Sequence, residues 1–295
     1  MRLGSAIMAS MKVFYRPEQV ANTPYAPSPR KPRLVVQDWL QQPAMNVEII
    51  SFQPVTPAQL SVAHDPKFVR AVLAGESRNG FGNTDADVAA SLPYTTGSLV
   101  AAARHAVLHN EAVCSPTSGF HHAGYASPEG YCTFNGLMVT AILLHQAGLV
   151  QRAGILDCDV HWGNGTEQII RKLGIGWIEH HTMGAHFHGR SDASHGEFER
   201  WLGLAIDQCM ACDLVIYQAG ADAHVDDPLG GVLTTRQMSA RDRMVFERLG
   251  HRPLVWNLAG GYQVLAGDHL SDAQRIEPVL ALHRETARLH CEILG

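Results

Sequence analysis

Short apolar runs alternate with helix-like stretches along the second half of the chain. The apolar runs cover residues 153–159, 175–180, 213–218 and 253–258, and the helix-like stretches between them cover 163–173, 196–211 and 236–249. Strands that are apolar on both faces are typical of a parallel sheet covered by helices on each side. The sequence therefore predicts an α/β fold, with three α/β/α layers around a mostly parallel sheet.

The first half of the chain has weaker patterns. Further helices are predicted at residues 17–21, 31–42, 66–74, 96–109 and 134–148, with a closing helix over 272–292. A further methionine, Met11, opens a strand-like segment at 12–15. We therefore expect residues 1–10 to be an N-terminal extension, possibly disordered, and residues 11–295 to form a single catalytic domain.

Charge and cysteine content exclude several classes of protein. The net charge is −5 and no cluster of basic residues is present, so a nucleic-acid partner is not expected. No apolar run reaches the ~18 residues of a membrane span, and no membrane association is expected. The first ten residues do not resemble a secretion signal. The six scattered cysteines suggest reduced thiols, which favours a cytoplasmic location.

Acidic and histidine side chains cluster where the predicted strands end. Because side chains alternate along a strand, Asp157, Asp159 and His161 are expected to point the same way from the strand at 153–159. Asp222 follows the strand at 213–218, and ligands of parallel sheets gather at the carboxyl ends of the strands. Asp159, His161 and Asp222 are three suitable zinc ligands, and a three-ligand site leaves one position open for catalysis.

Two adjacent histidines, His121 and His122, lie among small residues that let a substrate approach. Each imidazole needs an orienting partner on its second nitrogen, and Asp157 and Asn164 are the natural candidates. A carboxylate partner keeps its histidine nearer to charged, whereas an amide partner leaves the other histidine neutral and better suited as a base. Tyr262, on a Gly-Gly turn expected to be flexible, could stabilise an oxyanion.

These motifs resemble those of the histone deacetylase family, in the group that includes bacterial acetylpolyamine amidohydrolases. The resemblance extends from about Met11 to Ala266. It is carried by His121-His122-Ala123, Asp157-Cys158-Asp159-Val160-His161, Gly220-Ala221-Asp222 and Gly260-Gly261-Tyr262. The fold implied is the one that arginases share with deacetylases.

The resemblance also implies roles for individual residues. Asp159, His161 and Asp222 would bind one Zn²⁺, and His122 would be the general base and acid. His121, paired with Asp157, would act electrostatically, while Tyr262 would polarise the acyl carbonyl. The carbonyl of Gly130 would face the substrate amide. Tyr131 and Phe187 would wall an acyl-lysine tunnel.

Three positions depart from the family pattern. Asn164 stands where many members have aspartate, and Trp162 replaces the second histidine of a common H-H-G run. The family's monovalent-cation site uses the Asp157 carboxylate, nearby carbonyls and a serine hydroxyl, and this chain carries Glu179 near the place of that serine. A structural K⁺ is nevertheless expected.

The sequence thus predicts a zinc-dependent deacylase that acts on an acyl-lysine or a small molecule such as an acetylpolyamine. A polyamine would favour acidic residues such as Glu129 at the tunnel mouth. One alternative is a catalytically weak homologue that binds acyl-lysine or a metabolite. Another is an arginase-like hydrolase with two manganese ions, although such a site requires more aspartates to bridge the two metal ions. A homo-oligomer is possible.

Overall fold

One parallel sheet forms the centre of the protein in a computed structural model that describes residues 10–21, 28–187 and 195–295. Its strands are β1 Met11–Phe14, β2 Val47–Ile50, β3 Ala112–Ser115, β4 Ala153–Asp157, β5 Ile178–Thr182, β6 Leu214–Gln218 and β7 Leu254–Asn257. They lie in the order β2-β1-β3-β7-β6-β4-β5, and every pair is parallel. The sheet is therefore parallel throughout, where the sequence predicted a mostly parallel one.

Helices connect the strands. They are α1 Lys31–Leu40, α2 Pro57–Leu60, α3 Pro66–Leu73, α4 Ala86–His109, α5 Gly136–Gln146, α6 Asn164–Leu173, α7 His195–Cys209, α8 Thr235–Leu249, α9 Asp272–Arg275 and α10 Glu277–Leu294. Short 3-10 helices cover Pro17–Gln19, Met183–Ala185 and Ala221–Ala223. Across the ranges just given, none of these helices is long and apolar enough to cross a membrane.

Two apolar cores lie on the two faces of the sheet, which confirms the predicted three-layer α/β/α architecture. One core packs α1, α7, α8 and α10 against the sheet around Trp39 and Trp256. The other packs α2 to α6 against the opposite face around Leu99 and Leu137. All four of these side chains are fully buried. Burial at about 25 cal/mol per Å² of apolar surface makes these cores the main stabilising contribution.

Several element predictions were wrong or incomplete. Strands β2 and β3 were not predicted, because each has only four residues and neither forms a long apolar run. Helix α4 begins ten residues earlier than predicted, with Asp85 as its N-cap and Pro93 inside it. The division into residues 1–10 and 11–295 stays a prediction, since residues 1–9 lie outside the described ranges.

The carboxyl ends of the central strands carry a row of polar side chains. Asp157 of β4 is in register with Thr182 of β5 on one side and with Gln218 of β6 on the other. Gln218 is in turn beside Asn257 of β7, which is beside Ser115 of β3. Four of the five are wholly inaccessible to solvent, so the row needs internal hydrogen bonds.

The start of helix α3 holds the loop that follows His122. Asp65 caps the helix by accepting hydrogen bonds from the N–H groups of Lys67 and Phe68. The adjacent His64 is fully buried. Its Nδ1 lies 3.0 Å from the carbonyl oxygen of Gly124, and its Nε2 accepts a hydrogen bond from the N–H of Asn135 at 2.8 Å. The imidazole is therefore neutral, and it joins the loop after His122 to the start of α5.

We predict that His64 makes the fold sensitive to acid. Burial lowers the pKa of His64 to about 4 from its usual 6.5. Between these two pKa values the unfolded chain binds a proton at His64 and the folded chain does not. The folded state therefore keeps its full stability above pH 6.5 and loses stability as the pH falls towards 4. Between about pH 7 and about pH 5 this group should remove about 2 kcal/mol from the free energy of unfolding.

Urea unfolding of wild type and His64→Gln at the two pH values measures this contribution. The variant should be less stable at neutral pH, but it should lose less of its stability on acidification. Equal losses in the two proteins would contradict the assignment of acid sensitivity to His64.

Candidate active site

His121 and Asp157 form a buried pair at the end of β4. The Nδ1–H of His121 donates to Oδ2 of Asp157 at 2.7 Å. The other oxygen, Oδ1, accepts from Nε2 of Gln218 at 2.9 Å and from the N–H of Asp159 at 3.2 Å. Burial alone would lower the pKa of His121, but the carboxylates of Asp157 and Asp159 outweigh it and raise that pKa to about 9. His121 is therefore a charged imidazolium at neutral pH.

His122 has the opposite character. Its Nδ1 lies 2.7 Å from Oδ1 of Asn164, the first residue of α6. Burial and the neighbouring charge of His121 lower the pKa of His122, so its imidazole is neutral. This is the distribution of charge that one carboxylate partner and one amide partner predict. A neutral imidazole that donates through Nδ1 keeps a lone pair on Nε2, as a general base requires.

Asp159, His161 and Asp222 come together beside this pair of histidines. Their ligand atoms lie within 4.8 Å of one another. Nδ1 of His161 is 2.9 Å from Oδ1 of Asp159 and 3.0 Å from Oδ2 of Asp222. Among the described residues this is the single group of this kind, so the structure offers no second cluster for the two ions of an arginase-like site.

Strand alternation does not bring these ligands together, contrary to the prediction from sequence. Strand β4 ends at Asp157, and residues 158–161 form a turn. Within it the N–H of Asp159 donates to Oδ1 of Asp157, and the N–H of His161 donates to Oδ1 of Asp159 at 3.0 Å. Asp157 consequently faces His121, while Asp159 and His161 face Asp222.

The charges of the group fit a divalent cation. Burial and the adjacent Asp159 raise the pKa of Asp222 to about 7, because two buried carboxylates repel each other. Nε2 of His161 lies 3.0 Å from the carbonyl oxygen of Leu229, to which it can donate only as N–H. Despite burial, the carboxylates of Asp159 and Asp222 raise the pKa of His161 to about 11, so Nδ1 holds a proton between them, and a bound cation would take the place of that proton. The residues therefore fit the zinc ion that the sequence predicts.

The turn before Tyr262 packs directly on these carboxylates. The N–H of Gly260 donates to Oδ2 of Asp159 at 2.9 Å, and a Cβ at Gly260 would lie 2.0 Å from Oδ2 of Asp222. The N–H of Tyr262 donates to Oδ2 of Asp227 at 2.7 Å. The glycine is thus required for a close approach, and the turn is held in place rather than flexible as expected. Burial and the charges of Asp159 and Asp222 raise the pKa of the Tyr262 phenol, which remains protonated.

The predicted substrate-binding residues Tyr131 and Phe187 line two different cavities. An open cavity of about 480 Å³ is lined by His122, His161 and Phe187. Tyr131 lies on an adjoining cavity with Tyr262, and the centroids of their two rings are 5.8 Å apart. Gly130 packs against His122, since a Cβ there would lie 2.4 Å from Cδ2 of that ring.

Two buried cations that support the site were not predicted from sequence. Nζ of Lys31 donates to the carbonyl oxygens of Ala259 and Gly260 at 2.6 and 3.0 Å. Nη1 of Arg241 donates to the carbonyl oxygens of Cys158 and Gly220 at 3.2 and 2.8 Å. Both cations thus bind the backbone of the loops that carry the candidate ligands. No motif marks either residue, because a lysine or an arginine in a helix is usually exposed.

The position expected for the cation-binding serine also differs from the prediction. Glu179 is in register with Gly154 and bonds to Arg152, whereas His180 lies on the same face as Asp157. Nε2 of His180 is buried and has no hydrogen-bond partner. An imidazole nitrogen suits a hard cation less well than the hydroxyl it replaces. His180 would therefore place a nitrogen in a cation site that the resemblance implies to be made of oxygen atoms. The K⁺ ion stays a prediction.

Comparison with known protein families gives one match that covers more than half of the chain. Residues 27–194 match the histone deacetylase domain. The chain belongs to the histone deacetylase family. The matched range contains His121, His122 and the Asp157–His161 turn, whereas Asp222 and Tyr262 lie beyond it.

Individual relatives of this histone deacetylase family protein are distant. An uncharacterized protein of Picosynechococcus sp. is 29% identical over 78% of this chain and 82% of its own length. Histone deacetylase 10, chloroplastic, of Oryza sativa subsp. japonica is 25% identical over 74% of this chain and 60% of its own length. The crystal structure of an acetylpolyamine aminohydrolase from Burkholderia pseudomallei superposes with a TM-score of 0.70 at 18% identity, covering 94% of this chain and 97% of that one. The structural similarity confirms the fold.

We predict that Lys31 fixes the turn that carries Tyr262. Lys31→Met would leave the buried carbonyl oxygen of Ala259 without a donor, would reduce that of Gly260 to the N–H of Ala221, and would remove a positive charge close to Asp159 and Asp222. The free energy of unfolding should fall by about 2–4 kcal/mol. Lys67→Met, at an exposed position of α3, is the matched control and should change it by less than about 0.5 kcal/mol. Urea unfolding measures both, and equal effects would show that Lys31 does not hold the turn.

Proposed function

We propose that this protein is a zinc-dependent deacylase that hydrolyses the amide bond of an acylated amine, either an acyl-lysine or an acetylpolyamine. Support comes from one juxtaposition: the neutral His122 and a three-ligand metal group that includes His161 line the same cavity. A base beside an open metal position is the arrangement that hydrolysis of an amide by water requires.

Asp159, His161 and Asp222 would hold the zinc ion. When bound, zinc would polarise the acyl carbonyl and make a water molecule more acidic. Nε2 of His122 would accept a proton from the attacking water and later pass it to the leaving amine. The charged His121 would favour the negative charge that develops nearby, and the Tyr262 hydroxyl would donate a hydrogen bond to the acyl oxygen.

Metal content tests the first part of this proposal. Purified protein should contain about one zinc per chain by elemental analysis, and a chelator should lower its thermal unfolding temperature. Asp222→Asn should lose most of this zinc. Asp226→Asn changes an exposed carboxylate in the following loop and should keep it. Two metal ions per chain, or full zinc in Asp222→Asn, would contradict the single three-ligand site.

Turnover of a substrate panel tests the second part. The panel holds acetyl-lysine peptides, longer acyl-lysines and acetylpolyamines, and the compound with the highest kcat/KM identifies the substrate class. Tyr262→Phe should lower kcat by about 100-fold or more while zinc content stays unchanged, because one oxyanion donor is lost.

Tyr15→Phe, beyond the end of β1, is the matched control and should be as active as wild type. Full activity of Tyr262→Phe would remove the oxyanion role. Absence of turnover by the zinc-loaded wild type on the whole panel would instead favour the catalytically weak binding homologue.

A further inference from the structure

A tight turn presses against the candidate base. Glu129 and Cys132 exchange two backbone hydrogen bonds, with N–H to oxygen distances of 3.0 and 2.8 Å. The two central residues, Gly130 and Tyr131, both have positive φ angles, of 52° and 63°. Gly130 packs on the Cδ2 side of the His122 ring, and Glu129, the residue before it, extends its side chain to Asn164, which lies at Nδ1 of the same ring.

Glu129 binds the amide that binds His122. Nδ2 of Asn164 donates to Oε2 of Glu129 at 3.2 Å, while Oδ1 of Asn164 lies 2.7 Å from Nδ1 of His122. An ionised carboxylate only accepts hydrogen bonds, so it selects the amide orientation in which the NH₂ group faces Glu129. The opposite orientation would place the amide oxygen against the carboxylate and the NH₂ group against His122.

The orientation of the amide decides the tautomer of His122. An oxygen that faces Nδ1 requires a proton on Nδ1, and a neutral ring with that proton has its lone pair on Nε2. An NH₂ group that faces Nδ1 would favour the other tautomer, which cannot accept a proton through Nε2. Glu129 therefore acts on the base through one intervening side chain.

We infer that Glu129 is a positioning residue that holds His122 in its base-competent tautomer by fixing the orientation of Asn164. This role rests on the proposed function. It also accounts for asparagine at position 164, where resembling proteins often have aspartate. A carboxylate at that position would lie about as close to Oε2 of Glu129 as Nδ2 does now, and the two charges would repel.

Four variants test the pairing. Glu129→Ala should lower kcat about 5- to 10-fold with little change in KM, since one partly exposed hydrogen bond is lost. Glu129→Gln offers Asn164 a donor as well as an acceptor, so it no longer selects one amide orientation and should lower kcat by a similar factor. Asn164→Asp should be impaired while Glu129 is present. Adding Glu129→Gln to Asn164→Asp should then raise kcat, because the new amide can donate to the new carboxylate.

This reversal is the decisive result: the same Glu129→Gln substitution lowers kcat in wild type and raises it in Asn164→Asp. Independent effects of the two substitutions would overturn the inference. Glu167→Gln is the matched control, because its carboxylate lies in the first turn of the same helix α6 but bonds to Trp162 instead. It should leave kcat unchanged.

A spectroscopic measurement separates this inference from the proposed function. The ¹⁵N chemical shifts of His122 in the zinc-loaded protein report which nitrogen carries the proton. Wild type should show the Nδ1–H form, and Glu129→Gln and Glu129→Ala should each show a mixture. An unchanged tautomer in Glu129→Ala would overturn the positioning role even in an active enzyme. Conversely, a protein that turns over no substrate would refute the deacylase proposal and leave the tautomer result interpretable.

Discussion

The Asp157 carboxylate is the group on which the site depends. It ends β4, between β6 and the edge strand β5, and is inaccessible to solvent, so its charge must be balanced within the protein. One oxygen binds His121, and the other binds Gln218 and the backbone of the ligand-bearing turn. Asp157 thus links β4 to β6, keeps His121 charged and holds the ligand-bearing turn. Any change there would leave at least one buried polar group without a partner.

Buried charge explains the organisation of the surrounding loops. Asp159 and Asp222 repel each other unless a cation lies between them. This repulsion destabilises the folded state, and a bound metal ion would remove it. Lys31 of α1 and Arg241 of α8 donate to backbone carbonyls of these loops, and Nε of Arg241 also donates to Oδ1 of Asp242. They hold the loops without neutralising the ligands directly. Gly260 completes the arrangement by leaving room for both carboxylates.

The two adjacent histidines differ because of their partners. A carboxylate keeps His121 charged, and an amide leaves His122 neutral. Neighbouring residues in sequence therefore perform different chemistry, and the difference lies in side chains 36 and 42 positions away. Glu129 acts on His122 through Asn164 in the same way, since it determines whether the oxygen or the NH₂ group of the Asn164 amide is directed at His122.

The sequence by itself determined the layer architecture and the identity of the chemical groups. Long apolar strands and spaced acidic and histidine motifs are local patterns, which can be recognised in the sequence alone. It did not reveal the four-residue strands β2 and β3, whose pairing depends on distant neighbours. It also misplaced Glu179, since only strand register shows that His180 shares the face of Asp157. Tertiary structure alone brought Lys31, Arg241 and Glu129 to the site, because contacts between distant segments leave no periodic trace in the sequence.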